Sequence, residues 1–302
     1  ASAAPSAKTA AGRDLRQSVS HSTAAGCKNA PVAVLTGRTV QSVAALQGVL
    51  QSGNYYVPID EQMPEARMRR ILTQVHARAI VFSESSRPQA ERLADCALLV
   101  CLEEAEKTAP DEALLQARRE QIIDLDPVYL LFTSGSTGTP KGVQITAGNL
   151  AAFHTGVKPW FARLPEGGAF LNEISYSFDV SVCALYEALS RGMTLWTADR
   201  QTLESPQALF QLLREARPDA WVSTPSLAEF CIHSEQFCAE LLPQVRQFLF
   251  CGEVLTKKLA AELLRRFPGV PVVNAYGPTE TTVLVTGTEI TQAMLDADAP
   301  LP

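Results

Sequence analysis

The chain has 302 residues, of which 46% are hydrophobic and 19% charged, and its formal net charge is −6. That balance supplies the apolar surface for one large domain or two ordinary ones and excludes wholesale disorder. Charges of both signs are interspersed, with no basic stripe to follow a phosphate backbone, so nucleic acid is not an expected partner. No apolar run approaches the roughly 18 residues that a membrane span requires. The first residues also lack the apolar centre of a secretory signal, so a cytoplasmic chain with no membrane span is the expectation.

The seven cysteines are never spaced as CxxC and mostly sit among apolar neighbours, as Cys251 does in FLFCGEVL. They read as small hydrophobic thiols in a reducing compartment rather than as disulfides or zinc ligands. None of the four histidines has a second ligand at metal-binding spacing, and His154 in NLAAFHTGV reads as a solvated helix residue.

Residues 1–30 are rich in Ala and Ser without sustained periodicity and read as a loose tail. A regular pattern follows. PVAVL is a strand, VQSVAALQGVLQSG a helix closed by glycine, YYVPI a strand, EARMRRILTQVHA a helix and RAIVFS a strand. This predicts a first α/β subdomain over residues 31–125, its last part being the charged stretch 103–120. The alternation resumes with VYLLFTS, AFLNEIS, VCALYEALSRG, TLWTA, SPQALFQLLREA, AWVSTPS, QFLFCGE, TKKLAAELLRRF and VPVVNAY, predicting a second subdomain over residues 126–302. The expected fold class is therefore α/β, two tandem subdomains with largely parallel sheets and ligands at the carboxyl ends of strands.

One such end carries LFTSGSTGTPKGV, residues 131–143. A Gly/Ser linker needs neither order nor a terminal cation, and this stretch has both. Gly135 and Gly138 allow consecutive N–H groups to point inward as an anion nest, Ser134, Ser136, Thr137 and Thr139 add hydroxyl donors, and Lys141 adds a compact positive charge. The Walker pattern GxxxxGK[ST] is not met, because Pro140 stands at its second glycine and Gly142 at its hydroxyl. The loop thus reads as a phosphate loop of another kind.

TSGSTGTPKG resembles the phosphate loop of the adenylate-forming enzymes, and three more segments fall in that family's order: SGNYYVPID (52–60), SYSFDVSV (175–182) and NAYGPTE (274–280). Within the family the chain is most similar to amino-acid adenylation domains of the D-alanine:D-alanyl carrier protein ligase branch, over roughly residues 30–300. The resemblance implies the large N-terminal lobe of such an enzyme, ATP and Mg²⁺ as cofactors, an amino acid as substrate and a phosphopantetheinylated carrier protein as partner. It also implies roles. Thr133, Ser134, Gly135, Ser136, Thr137, Gly138, Thr139 and Lys141 hold the β and γ phosphates of ATP. Asn274, Ala275, Tyr276 and Gly277 lie about the adenine, Thr279 reaches the α-phosphate and Glu280 holds the metal, with Thr279, Glu280 and Lys141 as the catalytic set.

Asp179 stands in an apolar and aromatic setting where an ionised carboxylate is costly unless paired. It reads either as a helix N-cap or, by the resemblance, as the partner of the substrate's α-ammonium group. Cys251 reads either as a buried structural cysteine or, by the resemblance, as a pocket wall favouring a D-methyl group, with Gly252 and Glu253 lining the adjacent ligand path. In place of the family's ribose-binding Asp, hinge and small C-terminal domain, the sequence stops at Pro302. A lobe without the lysine-bearing C-terminal subdomain is thus expected to be inactive or weakly active alone. A non-catalytic nucleotide- or carrier-binding piece, or an acyl-CoA synthetase-like enzyme, is the alternative.

Overall fold

The computed structural model describes residues 28–107, 109, 111–133 and 140–302. Residues 1–27, and with them Cys27 and most of the expected tail, lie outside it, as do Ser134, Gly135, Ser136, Thr137, Gly138 and Thr139 of the phosphate loop. The chain divides into two compact units, residues 1–152 with Ser175–Ser177, and Phe153–Ile174 with Phe178–Pro302.

In the first unit a six-stranded sheet has the order β4-β3-β1-β2-β5-β6. Its strands are β1 Pro31–Thr36, β2 Tyr55–Asp60, β3 Ala79–Phe82, β4 Leu98–Cys101, β5 Pro127–Thr133 and β6 Lys141–Thr146. β1 and β2 are almost continuously apolar because both faces of a parallel strand are covered, and they pair with Ala33 opposite Val57. Helix α1, Val40–Gln51, starts at Thr39, whose hydroxyl accepts the Ser42 N–H. Helix α2, Glu65–Val75, buries Met68, Ile71 and Leu72 at helical spacing against Val57, Ile59 and Ile80. The charged stretch contains the short helix Leu102–Ala105 and helix α3, Glu112–Arg119.

The boundary expected between residues 125 and 126 is corrected here. β5 pairs parallel with β2 and antiparallel with β6, so both strands complete the first sheet. The loose tail also ends sooner than expected, since Lys28 forms an ion pair with Asp126 at 2.7 Å and Asn29 donates to the same carboxylate at 2.7 Å.

The unit boundary falls within helix α4, Ala147–Val157. The second unit has a sheet of order β12-β11-β10-β9-β7-β8. β7 Ala169–Asn172, β8 Thr194–Thr197, β9 Ala220–Ser223, β10 Gln247–Phe250 and β11 Val272–Tyr276 run parallel, and β12 Thr286–Glu289 pairs antiparallel with β11. The longer helices that follow are α5 Val180–Ser190, α6 Pro206–Ala216, α7 Pro225–Ile232 and α8 Lys257–Arg266. Alternate residues of β9 and β10 put Trp221, Phe248 and Phe250 on one face, where Phe237 and Phe267 join them. Phe248 and Phe267 meet edge to face at 4.9 Å between centroids. The fold class is α/β with two largely parallel sheets, as the alternation of strands and helices leads one to expect.

Candidate functional site

In the second unit the chain leaves β9, β10 and β11 at their carboxyl ends, the edge of an open parallel sheet where ligands bind. Ser223 ends β9, Phe250 ends β10 and Tyr276 ends β11. Asp179 stands at the N-cap position of α5 but its side chain makes no cap bond. The backbone N–H groups of Val180 and of Asp179 itself still act on this carboxylate. Burial pushes its pKa above the ordinary aspartate value, the Glu280 charge acts the same way, and a hydrogen bond with Thr279 opposes them. Asp179 and Thr279 are thus hydrogen-bonded, with Glu280 near enough for its charge to act on Asp179.

Cys251 follows β10 with 2% exposure, and its N–H donates to the Ser223 carbonyl at 3.2 Å. Burial, and then the Asp179 charge, pushes its thiol up to about 11. A thiol so far from ionisation is no nucleophile at neutral pH and offers a small apolar wall beside the aspartate. Cys183, fully buried one helical turn beyond Asp179 on α5, lies in the same electrostatic neighbourhood, its thiol raised by burial and by the charges of Glu187 and Cys251. The sequence signal for it was the four-residue spacing from Asp179, which puts both on one helix face.

Tyr276 is 67% exposed and its carbonyl accepts the Val285 N–H at 2.9 Å, while Ala275 is buried. Asn274 donates from Nδ2 to the Pro302 carbonyl at 2.5 Å. After the short turn Thr279–Thr281, Thr282 and Val283 adopt φ of 67° and 70°, costly values for β-branched residues. This turn presses the chain onto Gly277, where a Cβ would stand 2.4 Å from the Val283 carbonyl oxygen and 2.6 Å from Leu284 Cα. Those obstacles are main chain and cannot swing aside. Gly277→Ala is accordingly expected to lose about 1–3 kcal/mol in urea unfolding, and equal stability of the variant would mean that the turn is not packed this way.

In the first unit Thr133 and Lys141 face each other as partners across the β5–β6 hairpin, and the Thr133 hydroxyl donates to the Lys141 carbonyl at 3.5 Å. The residues between them that would form the nest are outside the described ones. The Pro140 carbonyl accepts Gln74 Nε2 at 3.4 Å.

Glu253, expected along the ligand path, has a partner on α7, its Oε2 accepting the Ser226 N–H at 3.2 Å. One expectation needs correction. His154 is not merely solvated. Its Nδ1 lies 2.6 Å from Oε1 of the fully buried Glu187, whose other oxygen meets Arg191 Nε at 3.1 Å. Among the described residues no helix is long and apolar enough to cross a membrane.

The profile of the AMP-binding enzyme family matches residues 23–302. The chain is 37% identical over 283 residues to the D-alanine--D-alanyl carrier protein ligase of Bacillus velezensis, covering 93% of this chain and 54% of that protein. It is 38% identical over 274 residues to the ligase of the same name from Lacticaseibacillus casei, covering 90% and 53%. The chain thus spans about half the length of the curated relatives it matches. Its fold superposes on the crystal structure of IdnL7 with a TM-score of 0.79 and 27% identity, over 92% of this chain and 57% of that one. A match of such extent, on a sheet edge that gathers Asp179, Thr279 and Glu280, leads to one statement of kinship: this chain belongs to the family of AMP-binding enzymes.

Proposed function

We propose that this chain is the large lobe of an ATP-dependent amino-acid adenylating ligase, which joins ATP and D-alanine into D-alanyl-AMP and pyrophosphate and then passes the alanyl group to the phosphopantetheine thiol of a carrier protein. The observation that carries this reading is the half-buried Asp179 beside Thr279, Glu280 and Cys251. A largely desolvated carboxylate there is suited to an α-ammonium group, and a plain carboxylic acid would leave it without a cationic partner. The relatives named as D-alanine ligases support the choice of amino acid.

In this reading a substrate carboxylate oxygen attacks the α-phosphorus and the bond to pyrophosphate breaks. Thr279 donates to the α-phosphate oxygens as charge develops there, and Lys141 with the loop over residues 133–141 holds the departing phosphates. The exposed carboxylate of Glu280, near the Thr279 hydroxyl, is an oxygen donor set suited to magnesium. The ion would neutralise phosphate charge when bound. Tyr276, exposed at the end of β11, offers its ring to the adenine, with Asn274, Ala275 and Gly277 about it.

ATP:pyrophosphate exchange over a panel of D- and L-amino acids, with the protein that contains this lobe, tests the proposal. D-alanine is expected to give the highest rate, and Cys251→Ala to narrow the gap to L-alanine by a factor of about 5 to 200, the worth of one misplaced methyl group. Preference for a bulky L-residue would overturn D-alanine as substrate, and exchange with no amino acid would overturn adenylation.

A further inference from the structure

The loop after β10 carries Glu253, and its carboxylate reaches away to α7. Oε2 accepts the Ser226 N–H at 3.2 Å and also the Ser226 hydroxyl. That helix has particular need of an acceptor. Its N-cap Thr224 makes no side-chain cap bond and Pro225 occupies its first turn, so the Ser226 N–H is the first that the helix itself presents. A glutamate 27 positions further along the chain therefore performs the capping, with its charge at the positive end of the helix.

Three further bonds join the same pieces. Thr256 Oγ1 donates to Glu229 Oε1 at 3.4 Å, and Arg266, the last residue of α8, donates to the Ile232 carbonyl at 2.8 Å and the Ser234 carbonyl at 2.6 Å. α7 is thus fastened at its start, middle and end to the segment that begins at Cys251. Within that segment lies Gly252 at φ 88°, where a Cβ would stand 3.7 Å from Thr224 Cγ2 and 3.9 Å from Val180 Cγ2. The Cys251 N–H donates to the Ser223 carbonyl, two residues before α7, so the Cys251 wall and the turn at Gly252 are tied to where α7 begins.

We infer that Glu253 is a positioning residue: by capping α7 at Ser226 it sets the Cys251–Gly252 wall and thereby the preference between D and L substrates, without touching the substrate. This rests on the adenylation reading above. The test uses the whole 302-residue chain with Glu253→Ala, Glu253→Gln, Ser226→Ala and the double variant Glu253→Ala/Ser226→Ala. The probes are D- and L-alanyl sulfamoyl adenosine, which mimic the aminoacyl adenylate, and calorimetry is paired with amide hydrogen exchange.

Glu253→Ala is expected to speed exchange at Ser226 and Leu227 about tenfold, as loss of a local cap should. It should also reduce the D-over-L affinity ratio about fivefold. Ser226→Ala should act in the same direction more weakly, the double variant should do no more than Glu253→Ala, and Glu253→Gln, which keeps an acceptor oxygen, should retain most of the ratio. Two results would overturn the inference: faster exchange with an unchanged D/L ratio, which marks a purely structural cap, or equal loss of both ligands with unchanged exchange, which marks a ligand contact. If the unaltered chain binds neither analogue, the adenylation reading and the stereochemical part fail together, and the exchange data still decide whether Glu253 caps α7.

Discussion

Asp179→Ala is expected to weaken binding of an aminoacyl-adenylate mimic by a factor of about 10² to 10³, the range for removing one partner of a desolvated ion pair, while ATP affinity changes by no more than about twofold. Calorimetry with the two ligands separately reads both numbers, and equal loss of both would mean that the residue only supports the fold. The pH behaviour follows from the same burial. With its pKa raised in the folded state, the group stabilises the fold below the unfolded pKa and loses that contribution as pH rises through the folded value. At neutral pH the ionised aspartate therefore costs the empty protein stability. Asp179→Ala should raise the melting temperature of the unliganded chain at pH 7, and the advantage should vanish in acid where the aspartate is protonated. Ligand binding has the opposite sign, because an ammonium group needs the carboxylate, and it should fall away on acidification at a pH above that of an ordinary aspartate.

Glu187→Ala should be the most destabilising single change in the second unit outside its aromatic core. Glu187 is 0% exposed and holds two partners, His154 with 37% and Arg191 with 19% side-chain exposure. Removing it leaves two cationic or polar groups without their acceptor, a loss of about 3 kcal/mol. This lies at the low end of the range for buried pairs because both partners keep some access to water. A fall in melting temperature of roughly 6–12 °C is the expected readout. Glu187→Met, which fills the space with apolar atoms, should cost less than the alanine change. A loss below about 0.5 kcal/mol in Glu187→Ala would show that the pair contributes nothing.

The strands and helices that periodicity could reveal were the apolar ones. β1, β2, β10 and β11 are runs that no other structure suits, and α2, α6 and α8 show the spacing of amphipathic helices. β6 escaped because only Val143 and Ile145 alternate inward on that edge strand, and β12, the sequence TGTE, has no apolar residue at all. Missing β6 also moved the unit boundary, since β5 without its hairpin partner looks like the start of a new sheet. At the site, Asp179, Thr279 and Glu280 were legible as motif residues. The Glu187–His154 and Glu253–Ser226 bonds join residues 33 and 27 positions apart, and nothing in a local pattern announces such a pairing.

A helix whose inner face is entirely apolar can turn about its axis at modest cost, since one aliphatic side chain packs nearly as well as the next. α5 has no such freedom. Glu187 lies two turns beyond Asp179, about 12 Å along the axis, and any rotation would carry it off His154, which stands on α4. The direction in which Asp179 points is therefore set by a lock deep in the unit, remote from the residues that shape the pocket. Walls such as Cys251 can then be exchanged during evolution to admit a different side chain while the carboxylate keeps its aim.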